Sequence, residues 1–274
     1  MNNTTVFELS GVSYSYQNRI VALRDVDLTI RAGEALVILG PNGSGKSTLL
    51  KILDGLYRPT SGRVLAFGRD ITSAADDPEL GYWLHQRVGL VFQEPDVQLF
   101  SPTVFDDVAF GPLQLGWPTE RIRQAVFTTL NELGILHLSD RAPFELSGGE
   151  KKRVALATVL VMDPEVILLD EPTANLDPRS RVQLIELLTE LHRRGRTLII
   201  ATHELDLVAT LATRVVVFGE HEHRPIAEGP PELILTDRTL LLAANLIHEH
   251  LHRHGPILHS HPHWHDAQHQ HEHD

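Results

Sequence analysis

The stretch GPNGSGKST, residues 40–48, decides the fold. It fits the pattern G-x-x-x-x-G-K-[ST] and stands where such a loop has to stand. Ahead of it, EALVILG (residues 34–40) is an unbroken apolar run, as expected of a strand buried on both faces. Behind it, STLLKILDGL has helical spacing. Strand, glycine-rich loop and helix start together predict a phosphate site. Glycines let the backbone approach, successive N–H groups can point at an anion, and the helix adds its positive end. Lys46 is expected to reach the β- and γ-phosphates and the Ser47 hydroxyl to ligate Mg²⁺. Asn42, Gly43, Ser44, Gly45 and Thr48 complete the binding loop.

Outward from this loop the pattern repeats. VILLD (Val166–Asp170) and TLIIAT (Thr197–Thr202) are two more buried-type strands, with an amphipathic helix over residues 179–194 between them. Residues 119–133 place Ile122, Ala125, Val126, Thr129, Leu130 and Leu133 on one helical face, stopped by Gly134. Apolar strands alternating with helices predict a mainly parallel sheet with helices on its faces. VFELSGVSYSY, VALRDVDLTI and GRVLAFG alternate instead and are rich in β-branched residues, which predicts a small antiparallel β layer. After Gly229 the pattern weakens to a short Leu-rich helix, about residues 236–247, and then a tail.

Two further segments carry chemistry. The strand VILLD ends on Asp170, which can hold Mg²⁺ through water, and Glu171 follows, which can orient or deprotonate an attacking water. An isolated Asp-Glu pair would read as a solvated loop, but the buried strand and the upstream loop favour catalysis. LSGGE (residues 146–150) precedes the helix KKRVALATVL. Ser147, Gly148, Gly149 and Glu150 there read equally as a helix-capping turn or as a second anion site.

Composition narrows the classes. The chain has 274 residues, 42% hydrophobic and 22% charged, ordinary values for a globular protein. A net charge of −12 argues against a broad nucleic-acid or lipid footprint. With no Cys, disulfides and thiolate metal sites are excluded. The N-terminus lacks the basic and apolar regions of a signal peptide, and no apolar run is long enough to span a bilayer. Any membrane association is therefore expected through partners only.

These motifs, in this order, resemble the nucleotide-binding subunit of an ATP-binding-cassette (ABC) transporter, over residues 6 to about 229. The resemblance implies an α/β P-loop NTPase fold of RecA-like, mostly parallel sheet, with an antiparallel β subdomain and a helical subdomain at about 95–160. It implies an ATPase using ATP and Mg²⁺. LSGGE resembles the family signature, which closes across a head-to-tail dimer on ATP held by the other subunit. Tyr16, in YSYQN, matches the aromatic that stacks on adenine; Tyr14 is the poorer candidate. Gln93, in VFQEPD, matches the glutamine that senses Mg²⁺ and the attacking water. Asp177, in TANLDP, matches the carboxylate at the dimer interface, and His203, in ATHE, matches the switch histidine that contacts the γ-phosphate.

After Gln93, EPDVQLFSPTVFDDVAFGP closely resembles the ATPase subunits of energy-coupling-factor (ECF) importers, which take up vitamins and transition-metal ions. The resemblance implies a transmembrane coupling subunit and a substrate-capture membrane subunit as partners, a dimer that is either a homodimer or this chain with a paralogous ATPase, and a place at the cytoplasmic face of the cell membrane. Val97, Leu99, Phe100, Val104 and Phe105 would line a groove for a partner helix, about half of them serving as core instead. GPPELILTDRTLLLAANL (residues 229–246) resembles the short helical extension that helps hold two copies together.

The tail, residues 248–274, carries eleven of the seventeen histidines: His248, His250, His252, His254, His259, His261, His263, His265, His269, His271 and His273. Its polarity predicts disorder. Its repeated His-x-His spacing suits Ni²⁺, Co²⁺, Cu²⁺ or Zn²⁺, since neutral imidazole is a borderline ligand and neighbouring rings raise one another's effective concentration. An importer-type ATPase with such a tail points to nickel or cobalt uptake. The alternatives are an ECF ATPase for another substrate such as a vitamin, or a non-transport ABC ATPase. His221 and His223 read as surface residues, and His85, His137 and His192 as structural or solvated.

Overall fold

Two sheets share the loop at residues 40–48 in the computed structural model, which describes residues 4–254 and 257–264 and the side chains of 4–247. β1 (Thr5–Tyr16), β2 (Ile20–Arg31), β4 (Ser61–Ala66) and β5 (Arg69–Asp70) form an antiparallel layer in the order β2-β1-β4-β5. Between β2 and β4 the chain lays down β3 (Ala35–Leu39), which belongs to the other sheet.

That second sheet runs β10-β9-β3-β8-β7-β6. From β6 (Val88–Val91) through β7 (Val166–Asp170), β8 (Thr197–Thr202) and β3 to β9 (Arg214–Phe218) every pairing is parallel. The edge strand β10 (Pro225–Gly229) pairs antiparallel with β9. β3 is buried at all its positions, as its unbroken apolar run requires. Its alternate residues serve different cores. Ala35, Val37 and Leu39 pack with the larger helices, while Leu36 and Ile38 pack against the first helix and the antiparallel layer. Each fully buried Leu or Ile here stabilises the fold by roughly 1.5–3 kcal/mol.

On the second face lie α1 (Lys46–Leu53) and α2 (Pro78–His85). On the first lie α3 (Val104–Gln114), α4 (Thr119–Glu132), α5 (Gly148–Leu160), α6 (Pro178–Arg193) and α7 (Leu205–Leu211). α4 buries Ile122, Val126, Thr129 and Leu130, on the face expected from spacing. Gly134 stops it in the left-handed region (φ 68°), where its N–H bonds back to the Asn131 carbonyl.

Two expectations differ from what is seen. The Leu-rich C-terminal extension is not one helix but two, α8 (Pro231–Thr236) and α9 (Arg238–Ala243). Asp237 divides them, because its carboxylate accepts the Leu240 N–H and caps a new helix rather than continuing the old one. The tail, expected to lack structure, carries two antiparallel strands, β11 (Ile247–His254) and β12 (Ile257–Trp264). His-x-His repeats have the period of two that a strand needs, and polarity alone does not prevent pairing. Residues 255, 256 and 265–274, which include His265, His269, His271 and His273, lie outside the described residues.

Candidate nucleotide site

The C-terminal ends of β3, β7 and β8 lie side by side, where open α/β sheets bind ligands. β3 delivers the loop at 40–48, β7 delivers Asp170 and Glu171, and β8 delivers Thr202 and His203. In the loop, Gly45 takes φ 106°, and a Cβ there would stand 2.2 Å from the Ala22 carbonyl oxygen of β2. Only glycine allows that approach. Ser44 is fully buried, and its hydroxyl has no hydrogen-bond partner among the described residues. A buried orphan hydroxyl in a glycine-rich turn is suited to a phosphate oxygen.

Lys46 is buried at the start of α1. Its Nζ donates to the carbonyls of Gly40 (2.7 Å) and Pro41 (3.0 Å) and stands 3.5 Å from Glu171 Oε1. Ser47 Oγ donates to Asp170 Oδ1 at 2.8 Å. Sequence reasoning assigned both groups to Mg²⁺, and the fold brings them together from positions 123 residues apart. A hydroxyl and a carboxylate form the hard oxygen donor set that Mg²⁺ prefers. Thr48 Oγ1 and the Tyr16 hydroxyl are 2.9 Å apart, which ties the aromatic to the first turn of α1. Tyr14 stacks on Tyr57 with ring centroids 5.2 Å apart, and Tyr16 meets both rings edge-on.

Glu171 has the least ordinary conformation in the site. It is buried, and its φ of 42° is left-handed for a residue with a side chain, a strain of about 1–3 kcal/mol. Its N–H is held by the Ala201 carbonyl. Its carboxylate is engaged on both oxygens. Oε1 lies 3.0 Å from His203 Nδ1, and Oε2 accepts from Thr202 Oγ1 at 3.2 Å.

The charges shape one another. Burial pushes the Glu171 carboxyl up, but the His203 hydrogen bond and the Lys46 charge, with Thr202, outweigh it and hold the group below its ordinary value. The same hydrogen bond raises His203. Burial raises Asp170, against the Ser47 hydrogen bond, and burial lowers Lys46, against the Glu171 charge. The arrangement can hold an ionised carboxylate next to an imidazole, an ammonium and a cation-binding oxygen pair.

Other predicted residues lie apart from this cluster. Gln93 is exposed on the loop after β6. Ser147 caps α5 in a reciprocal capping box with Glu150, so the capping reading of LSGGE holds whatever else the turn does. Ser147 and Gly148 are exposed, and Gly149 is buried against Ser180 of α6. Among the described residues no hydrogen bond or ion pair joins residues 147–150 to the 40–48 loop. Asp177 is exposed and caps α6, accepting the N–H groups of Arg179 and Ser180.

Of the five groove candidates, Leu99 and Val104 are core and Phe105 packs partly against it. Val97 and Phe100 stay exposed, and Phe100 meets Phe110 edge-on at 5.0 Å beside exposed Leu113. No group of three or more His, Asp or Glu side chains positioned for a metal occurs among the described residues. No helix among them is long and apolar enough to cross a membrane.

Sequence reasoning missed two groups here. Lys152 is buried on α5 and donates from Nζ to the carbonyls of Gln93 (2.6 Å) and Glu171 (3.3 Å). Burial lowers its pKa to about 8, resisted by the Asp170 and Glu171 charges. The available signal was a lysine in register with Gly149, Leu156 and Val159 on the buried face of α5. The second is Glu204, which accepts from Thr173 Oγ1 (2.9 Å) and pairs with Arg181 (2.7 Å), linking the segment after His203 to α6.

The sequence profile of the ABC transporter family matches residues 23–174. The nickel import ATP-binding protein NikO of Rhodobacter capsulatus is 51% identical over 248 residues, 89% of this chain and 96% of that protein. The energy-coupling factor transporter ATP-binding protein EcfA of Methanothermobacter thermautotrophicus is 43% identical over 241 residues, 88% of this chain and 76% of that protein. Among solved structures, cbiO1 from Clostridium perfringens, part of the ABC transporter complex cbiONQ, superposes with a TM-score of 0.76 at 39% identity, covering 89% of this chain and 95% of that one.

Proposed function

The chain belongs to the ABC transporter family, and from that premise we propose that it hydrolyses ATP to energise nickel or cobalt import through an ECF-type membrane transporter. Its parallel sheet, antiparallel layer and helical group are the P-loop NTPase fold of ABC ATPases. The observation that carries the hydrolytic reading is the convergence of Lys46, Ser47, Asp170, Glu171 and His203 at three neighbouring strand ends.

In this reading the 40–48 loop binds the ATP phosphates. Ser44 offers its orphan hydroxyl, Lys46 exchanges its loop carbonyls for the β- and γ-phosphates, and Tyr16 receives the adenine. Mg²⁺, held by Ser47 and Asp170 with Gln93, neutralises phosphate charge when bound. Glu171, kept ionised by His203 and Lys46, orients the attacking water and takes its proton. His203 holds the Glu171 carboxylate and faces the γ-phosphate. Ser147, Gly148, Gly149 and Glu150 close on nucleotide held by a second copy, with Asp177 at that interface. Exposure of Ser147, Gly148 and Asp177 supports this, because a surface reserved for a second copy has to be open in one chain.

Cargo and partners rest on different support. The exposed Val97, Phe100, Phe110 and Leu113 suit an amphipathic helix of a transmembrane coupling subunit at the cytoplasmic face. A separate membrane subunit would capture the ion. The eleven tail histidines, with the likeness to NikO, favour nickel or cobalt over a vitamin. The test is uptake of each ion in cells carrying the whole operon, with wild-type chain and with Glu171→Gln. Accumulation of Ni²⁺ or Co²⁺ that disappears in the variant is expected. Equal accumulation in both, or uptake of a vitamin alone, would overturn the proposal.

A further inference from the structure

Lys152 is 5% exposed, yet among the described residues its ammonium forms no ion pair within 4.0 Å, and both its bonds go to main-chain carbonyls. A buried charge with only neutral partners is costly, and a neutral side chain would fill this core-facing position at lower cost. The two carbonyls belong to Gln93, on the loop after β6, and Glu171, directly after β7, and the two residues carry different parts of the site.

The loop bearing Gln93 is fastened to α5 at further points. Gln98 Oε1 accepts the Phe92 N–H at 3.1 Å, while Gln98 Nε2 donates to the Ala155 carbonyl (2.9 Å) and Thr158 Oγ1 (2.7 Å). Lys151 Nζ donates to Asp96 Oδ1 at 2.6 Å. Residues 92–98 are therefore bound to α5 from Lys151 to Thr158. Among the described residues, only the Lys152 bond continues from that assembly to the Glu171 peptide. That peptide is the strained one, held otherwise by Ala201 at its N–H and by the Ala174 N–H at its carbonyl.

We propose that Lys152 is a positioning residue that couples the Gln93 loop and α5 to the peptide carrying Glu171, so that displacement of α5 moves the hydrolytic carboxylate. The charge matters because a charge-assisted bond to a carbonyl is about twice as strong as a neutral one, enough to span two carbonyls from one atom. The inference rests on the reading of Glu171 as the hydrolytic carboxylate.

Steady-state MgATP hydrolysis by the full chain tests it, using Lys152→Met, Gln93→Ala, the double variant and Glu171→Gln. Lys152→Met is expected to lower kcat at least tenfold with KM within twofold, and thermal unfolding should confirm a folded protein. Gln93→Ala keeps the carbonyl that Lys152 holds but removes the side chain whose position that bond transmits, so with Gln93 already replaced the same substitution should cost less than threefold. A merely structural role would leave the two losses multiplicative. Multiplicative losses, or a Lys152→Met kcat within twofold of wild type, overturn the proposal. If the methionine variant does not fold, Lys152→Gln, which keeps a donor, enters the same cycle under the same criteria. Normal turnover by Glu171→Gln would instead overturn the underlying assignment of Glu171, whatever Lys152 does.

Discussion

His203 Nδ1 lies 3.0 Å from Glu171 Oε1, across two neighbouring parallel strands whose ends are in register through Asp170 and Ala201. The bond keeps the carboxylate ionised and fixed in direction, and it keeps the imidazole protonated to higher pH than usual. Each group thus depends on the other. Glu171→Gln should leave ATP binding intact and lower kcat by about 10²–10⁴, the range for loss of a positioned general base. His203→Ala should lose a comparable factor, and the double variant should be little worse than either single one. Single-turnover hydrolysis and equilibrium ATP binding distinguish these outcomes. A double variant slower by the product of the two factors would show that the residues act independently.

Gly45 cannot accept a side chain. At φ 106° an L residue is strained, and the added Cβ would meet main-chain oxygen of Ala22 at 2.2 Å and the Leu23 side chain at 2.8 Å. A main-chain oxygen inside a sheet has little room to move. Gly45→Ala should therefore cost about 2–5 kcal/mol of stability, combining backbone strain with overpacking. ATP binding should fall with it, because β2 and the loop must separate. Denaturant unfolding measures the first effect and nucleotide titration the second. A variant as stable as wild type would mean that the loop can rearrange away from β2.

Much of this was legible because local and global requirements agree. β3 could be read from five apolar residues in a row, since a strand buried on both faces has no polar side to show. The end of α4 could be read from Gly134, and the loop at 40–48 from its spacing. What escaped depended on distant neighbours. The apolar residues after Gln93 look alike in sequence, yet Leu99 and Val104 are core while Val97 and Phe100 face solvent. Their fate depends on where α3 packs against α5, which no local period encodes. Lys152 escaped because a lysine beside Lys151 and Arg153 reads as part of a solvated charge run. The left-handed backbone of Glu171 is held by hydrogen bonds to β8, at Ala201, and to α5, at Lys152, neither of which is near it in sequence.

His85 and Asp54 predict a pH-dependent stability. His85 Nε2 bonds to the Asp54 main-chain carbonyl at 2.8 Å, with carboxylate Oδ2 3.6 Å away. Burial pushes the Asp54 carboxyl up, and one of its oxygens has no hydrogen-bond partner. The Asp54 side chain raises the pKa of His85 above its ordinary 6.5, against the effect of burial. Above 6.5 the folded protein therefore holds this proton more tightly than the unfolded chain, and stability falls as pH rises through the folded value. Part of the His85 side chain is exposed, so solvent screens the effect. Between about pH 6 and about pH 8 the unfolding free energy should fall with a slope well below the one-proton limit of about 1.4 kcal/mol per unit. His85→Gln can still donate to the carbonyl and should reduce that slope. His203, raised in the same direction, leaves a remainder. Urea unfolding across the range checks this, and an unchanged slope in the variant would assign the titration elsewhere.

The histidine tail should bind metal without serving hydrolysis. Every residue placed in the nucleotide cluster lies between Tyr16 and His203, far in sequence from residues 248–274. Removing 248–274 should leave ATP turnover of the isolated chain within about twofold, the span expected when no group of the reacting site is touched. Calorimetry at neutral pH should show Ni²⁺ and Co²⁺ binding to the full chain and its loss on truncation. Imidazole nitrogens follow the ordinary first-row order, so Ni²⁺ should bind more tightly than Co²⁺. Protons compete for the same nitrogens, and affinity should fall steeply below about pH 6. The same stretch holds Glu249, Asp266, Glu272 and Asp274, and carboxylates in general lose their charge only at about pH 4, so a carboxylate-dominated site would keep its affinity. Retention at pH 5 would therefore reassign the ligands from imidazole to carboxylate. Equal metal binding before and after truncation would remove the tail from any role in handling the ion.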